Sequence, residues 1–247
     1  MKTLTARTPA DFVAFVPTIL GFTPENSVVM MAFGPRQFHA RIDLGPESDM
    51  APSLIGPCLA NGATRVVLVT YGGSLGHLRN LALLFEAAGI EVLDCIKTHT
   101  VGGSTQVTTP DGEQIMTTPV DRGSRDDMVA SLQPAGATVP DGSPGRRDRF
   151  IRDLDRDTIA AQVTALAAEL RDCDPAVPAT AHVAGMLALA AWLSGDGAKA
   201  WAAVDVAVAI DHRNPLATLV TPLLQRGVDP AEWWTKMSNT LAEDVSA

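Results

Sequence analysis

Residues 65–77 read RVVLVTYGGSLGH. The run Val66-Val67-Leu68-Val69 does not alternate between apolar and polar positions, which suits a central strand covered on both faces. A glycine-bearing turn follows it, a helix is expected over Leu75 to Ala88, and a further strand over Ile90 to Ile96. Strand, helix and strand in this succession favour a right-handed crossover, and so a sheet with at least one parallel pair.

Upstream, Thr8-Pro9-Ala10-Asp11 reads as an N-cap with proline at the first helical position. Phe12, Phe15, Val16 and Ile19 are expected to line one face of that helix, with a kink or restart at Pro17 and an end at Gly21. Ser27 to Phe33 and Gln37 to Leu44 flank Gly34-Pro35 and predict a β-hairpin. In its second strand Phe38, Ala40, Ile42 and Leu44 point one way and His39, Arg41 and Asp43 the other. Residues 47–61 predict a helix made short or irregular by Pro52 and Pro57. Downstream, Thr105 to Thr109 and Glu113 to Thr118 flank Pro110-Asp111-Gly112, whose Asp-Gly pair can supply the positive φ angles of a second hairpin.

Residues 134–146 hold three prolines and three glycines and predict an exposed linker. Beyond it the pattern is helical. Ile159, Val163, Leu166 and Leu170 fall on one helical stripe, and further helices are expected near 179–194 and 197–210, from Asn214-Pro215 and from Asp229-Pro230. Ala191-Trp192-Leu193-Ser194-Gly195-Asp196 and the helix after it resemble one tetratricopeptide unit, too few for a solenoid. The expected organisation is an α/β domain over 1–133, a linker over 134–150 and an all-α, tetratricopeptide-like helical domain over 151–247.

With 28 acidic residues against 19 basic ones, the chain would repel a phosphate backbone, so nucleic acid is not expected as a partner. No apolar run approaches the ~18 residues of a membrane span, and the N-terminus lacks the apolar core of a secretory signal. Three isolated cysteines, Cys58, Cys95 and Cys173, give no complete disulfide framework, which fits a reducing cytoplasmic setting.

These residues together resemble the actinobacterial family known as domain of unknown function 4192. The likeness is carried by Pro9, Val16-Pro17, Leu20-Gly21-Phe22, Pro24-Glu25-Asn26-Ser27-Val28-Val29 and Ala40-Arg41-Ile42-Asp43-Leu44. Near the far end it is carried by Ala191-Trp192-Leu193, Gly195-Asp196-Gly197-Ala198 and Gly227-Val228-Asp229-Pro230 with Trp233. The chain departs from the family's pattern in having no cysteine between Thr105 and Thr118, and in carrying Gly72-Gly73-Ser74 where an acidic residue is expected. The resemblance implies an architecture and no chemistry.

Candidate ligand-binding residues are Asn26, Ser27, Arg41, Asp43, Tyr71, Gly72, Gly73, Ser74 and His77. The segment from Tyr71 to His77 lies between a buried strand and a helix start, where free N–H groups and the helix dipole attract a phosphate or carboxylate. It matches no nucleotide-binding motif, and an ordinary turn with Ser74 as helix cap explains it as well. If Asn26-Ser27 lies beside Gly72-Gly73-Ser74, the two line one crevice outside the strand ends. His39, Arg41 and Asp43 suit acid-base work, although alternation alone accounts for them. Arg146, Arg147 and Arg149 form a basic cluster. Adjacent Trp233 and Trp234 point about 100° apart on a helix, so one of them is a candidate for a protein partner or homo-oligomer contact, unless both rest on preceding helices. No metal site, cofactor motif or catalytic triad stands out. The expected function is a cytosolic binding or adaptor protein with a small anionic-ligand site in its first half and a partner-binding helical half. The alternative is an enzyme acting on a small phosphorylated or carboxylated metabolite.

Overall fold

The computed structural model describes residues 8–101 and 104–235. It divides into two compact units, Met1–Ser124 and Arg125–Ala247.

The first unit contains α1 (Pro9–Leu20), β1 (Ser27–Phe33), β2 (Phe38–Asp43), α2 (Glu47–Ala60), β3 (Arg65–Tyr71), α3 (Leu75–Ala87), β4 (Glu91–Val101), β5 (Ser104–Thr108) and β6 (Gln114–Thr117). The strands form one mixed sheet in the order β2-β1-β3-β4-β5-β6. Only β3 and β4 pair in parallel, and α3 is the crossover between them. β1 lies antiparallel to both β2 and β3, and the remaining pairs are hairpins. The unalternating run of β3 is buried at every position from Val66 to Tyr71, as a central strand requires. On one face Val28, Met30, Val66, Leu68 and Cys95 pack against Met50, Leu54, Leu78, Leu81 and Phe85 of α2 and α3. α1 lies toward β4, β5 and β6, and Phe12 meets Phe33 edge to face at 6.4 Å.

Three local expectations are corrected. α1 runs through Pro17 as one helix, and its buried stripe is Val13, Val16, Pro17 and Leu20 rather than the phenylalanine face. Its capping box pairs Thr8 with Asp11, and Gly21 ends it in the left-handed region. α2 is likewise continuous through Pro52 and Pro57. In the β5–β6 turn only Gly112 has positive φ; Gly112 N–H donates to Thr109 O and Thr109 N–H to Glu113 O. That is a type I turn with a glycine bulge, for which Pro110 is well suited.

The second unit contains α4 (Arg125–Ser131), α5 (Pro144–Arg152), α6 (Ile159–Asp172), α7 (Ala179–Leu193), α8 (Gly197–Ile210) and α9 (Pro215–Gln225), with residues 230–235 also helical. The stripe Ile159, Val163, Leu166 and Leu170 is buried, as its spacing predicts. α7 is buried from Val183 to Leu193 without a break, so it has no solvent face and packs at the centre of the unit. Asp196 caps α8 at Lys199 N–H, and Asn214 caps α9 at the N–H groups of Leu216 and Ala217.

The proline- and glycine-rich stretch is tied down over much of its length. Ala135, Gly136 and Thr138 donate to Arg171 O, Cys173 O and Asp172 O, and Asp174 N–H returns a bond to Thr138 O. Ser143 then caps α5, with Pro144 at its first position. The three cysteines are buried free thiols. Burial, assisted at Cys95 by Asp94, raises the thiols of Cys58 and Cys95 to about 11, so neither is a ready nucleophile. Among the described residues no helix is long and apolar enough to cross a membrane.

Candidate functional site

Register brings the two strand-end loops together. Ser27 opposes Tyr71 across β1 and β3, so Asn26 and Gly72 follow one another round the same corner of the sheet. A Cβ on Gly72 would lie 2.9 Å from Asn26 Oδ1, and Gly72 itself has φ 86°. Among the described residues Asn26 is the one non-glycine with positive φ, at 41°. Gly73 packs against Thr70 Oγ1, with Leu44 Cδ2 3.2 Å from the place a Cβ would take. Glycine is therefore required at 72 by conformation and contact, and at 73 by contact alone.

The sheet nevertheless divides the candidate residues between its faces. Asp43, Ser27, Tyr71 and Thr98 stand in one cross-strand row on one face. Arg41 shares that face, pairs with Asp43 at 2.6 Å, donates to Glu25 O at 3.3 Å and lies 5.8 Å from the centre of the Phe22 ring. Thr70, Gly73 and His77 belong to the face covered by α2 and α3. There Ser74 caps α3 by accepting from His77 N–H at 3.1 Å. His77 Nδ1 meets Glu47 Oε1 at 3.2 Å, and Asn80 Nδ2 donates to the same oxygen at 3.1 Å. The Glu47 carboxyl is held below its ordinary range by its own backbone N–H, then by Asn80 and His77. His39, opposite Met31 and exposed, joins neither group.

Buried polarity is concentrated here. Ser27 Oγ, Arg41 Nε, Thr70 Oγ1, Tyr71 OH and His77 Nε2 are buried without a hydrogen-bond partner among the described residues. Ser27 and Thr70 are completely buried, and burial raises the pKa of the Tyr71 phenol. Each such group carries a desolvation cost of roughly 1–3 kcal/mol. Tyr71→Phe and Ser27→Ala are therefore expected to leave stability unchanged or to raise it by up to about 1–2 kcal/mol, measured by urea unfolding of each variant.

Beside this corner, on the α3 face, β4 runs on past Thr98, its last partner to β3, to Val101. The overhang and the start of α3 border an open cleft of about 340 Å³ lined by Leu75, Lys97, His99, Gln106, Thr108 and Gln114. Sequence reading missed its polar lining, and also Glu47 and Thr70. The alternation Lys97, His99 and Gln106, Thr108 marks a polar face on each strand, but only register aligns them: Lys97 with Thr108 and Gln114, His99 with Gln106.

In the helical unit Trp192 and Trp233 meet edge to face at 5.9 Å, Trp192 Nε1 donates to Val228 O, and Trp234 Nε1 donates to Leu193 O. Both adjacent tryptophans are half-buried and bear on α7. Of the basic cluster, Arg146 pairs with Glu169 at 2.6 Å, Arg147 with Asp148 at 3.0 Å, and Arg149 lies 3.9 Å from Asp141. Among the described residues no group of three His, Cys, Asp or Glu side chains is placed to hold a metal ion.

Fold and corner together define a two-unit protein, a six-stranded mixed α/β unit with a polar strand-end corner followed by a helical unit. The chain belongs to the DUF4192 family, a domain of unknown function whose model matches residues 9–173 and 142–231. No curated protein and no solved structure matches it significantly.

Proposed function

We propose that the first unit binds a small anionic ligand at the corner formed by residues 26–27 and 71–77. The observation that carries this reading is that unsatisfied buried polar atoms flank this corner on both faces of the sheet, Ser27, Arg41 and Tyr71 on one and Thr70 and His77 on the other. Buried polar groups in folded proteins are nearly always paired, and exceptions concentrated at one strand-end corner mark it as a candidate site. The first turn of α3 adds N–H groups directed at an anion.

Tyr71 is the chain's one tyrosine, so 3-fluorotyrosine labelling gives a single 19F resonance at the site. Titration with inorganic phosphate and with acetate is expected to shift that resonance saturably, and Ser27→Ala or Thr70→Val is expected to weaken binding about tenfold. A resonance unmoved by both anions at millimolar concentration overturns the proposal.

A second reading, an enzyme acting on such a ligand, is favoured by the Glu47–His77 pair. A carboxylate on Nδ1 orients the ring and leaves Nε2 as the proton acceptor, the arrangement a general base needs. Turnover of a bound phosphate ester that disappears in His77→Gln while binding persists would favour this reading. The helical unit is the half assigned to a protein partner or a second copy of the chain. Half-buried Trp233 and Trp234 are its candidate contacts, and sedimentation across a concentration series tests self-association through them.

A further inference from the structure

We propose that the anionic ligand reaches from the corner, where Thr70 stands opposite Lys97, into the cleft between the start of α3 and the β4–β5–β6 face, so that Lys97 meets its charge and the rest of the lining its hydroxyls, and the ligand is a phosphorylated or carboxylated sugar or polyol. The inference rests on the anionic-ligand reading above. In a chain with 28 acidic and 19 basic residues, this cleft is lined by Lys97 and His99 and, among the described residues, by no acidic side chain. Lys97 makes no ion pair among the described residues, which leaves its ammonium available to an incoming anion.

The remaining lining suits hydroxyl groups. Gln106 Nε2 donates to Gln114 Oε1 at 2.9 Å. That bond fixes both amides and leaves Gln106 Oε1 as an acceptor and Gln114 Nε2 as a donor, a pair able to bracket neighbouring hydroxyls. Thr108 offers both roles, and Leu75 gives an apolar patch for the C–H face of a ring. The walls are held in place before any ligand arrives. Arg79, one turn beyond Leu75 on α3, donates to Pro110 O at 2.8 Å in the β5–β6 turn, joining the two sides. A volume of about 340 Å³ lies at the small end of the ligand-site range.

The test is calorimetric titration of the full chain with glucose 6-phosphate, inorganic phosphate and glucose, with 3-fluorotyrosine at Tyr71 as a second readout. Glucose 6-phosphate is expected to bind about tenfold tighter than phosphate, and glucose only weakly. Lys97→Met is expected to weaken both anions about tenfold or more, Lys97→Arg to restore most of the loss, and Gln114→Ala to remove only the advantage of glucose 6-phosphate. Equal binding by wild type and Lys97→Met, with the Tyr71 resonance still shifting, overturns the cleft and leaves the corner site standing. Loss in Lys97→Met with a silent Tyr71 and a fully competent Ser27→Ala supports the cleft and overturns the corner. No binding of either anion by wild type overturns both. A Lys97→Met chain that fails to fold, judged by circular dichroism, passes the decision to Lys97→Gln.

Discussion

Replacing Asn214 by alanine is expected to destabilise the helical unit by about 2–4 kcal/mol, and to reverse the sign of a second substitution at Gly185. Asn214 is 1% exposed, and its side chain acts at both ends. Oδ1 accepts from Leu216 N–H and Ala217 N–H at the start of α9, while Nδ2 donates to Ala181 O on α7 at 2.9 Å. Removing it leaves two buried donors unpaired, costs a helix cap and separates α9 from α7. A Cβ on Gly185 would lie 2.5 Å from Asn214 Oδ1 and 3.1 Å from its Cγ. Gly185→Ala alone is therefore expected to cost about 1–3 kcal/mol by overpacking. Once Asn214 is alanine the obstruction is gone, and Gly185→Ala should then stabilise by about 1 kcal/mol, the helix preference of alanine over glycine. All four tryptophans lie in this unit, so tryptophan fluorescence during urea unfolding reads it directly. Additive effects of the two substitutions would show that the side chain of Asn214 does not join α9 to α7.

Gly136→Ala is expected to cost about 2–4 kcal/mol by the same measurement, as overpacking against rigid backbone does. A Cβ there would overlap the Asp172 carbonyl and lie 2.7 Å from Asp172 Cα. Backbone cannot step aside as a flexible side chain can. Relief requires giving up the Gly136 N–H to Cys173 O bond at 3.1 Å and its neighbour from Thr138 to Asp172 O at 3.0 Å. Gly145, by contrast, has nothing within 4 Å of the place a Cβ would take, so Gly145→Ala serves as the control and should be close to neutral or stabilising. Equal behaviour of the two variants would mean that residues 135–138 are not fastened to the end of α6.

That contrast shows what could and could not be read from sequence. Prolines and glycines between 134 and 146 read as an exposed linker, because their backbone preferences are local properties. Crowding is not local: Gly136 is small because Asp172 lies against it, and Gly142 because Ala179 does. The start of α5 was legible in Ser143-Pro144, a cap followed by proline, had the surrounding composition not outweighed it. α1 carries a similar lesson. Counting Pro17 as a breaker hid the stripe Val13, Val16, Pro17, Leu20, in which proline serves as an apolar surface. Elements governed by caps and period, such as α6, α8 and the β1–β2 hairpin, were readable residue by residue.

For the candidate site, the turn at Gly72-Gly73-Ser74 and its neighbour at Asn26 were legible, because positive φ and helix capping leave marks in composition. The rows that furnish each face were not. Asp43, Ser27 and Tyr71 stand side by side although they come from three different strands, and only strand register sets them so. The same holds for Lys97, Thr108 and Gln114.

The uniform burial of α7 also bears on how the chain is made. A helix with one apolar stripe can rest on its predecessor as soon as it emerges from the ribosome, but α7 needs α6 before it and α8 and α9 after it. Until synthesis has passed Gln225, some of its surface has no cover from its own unit. The helical half is therefore completed in one late step rather than helix by helix, and that interval is when the nascent chain most needs a chaperone.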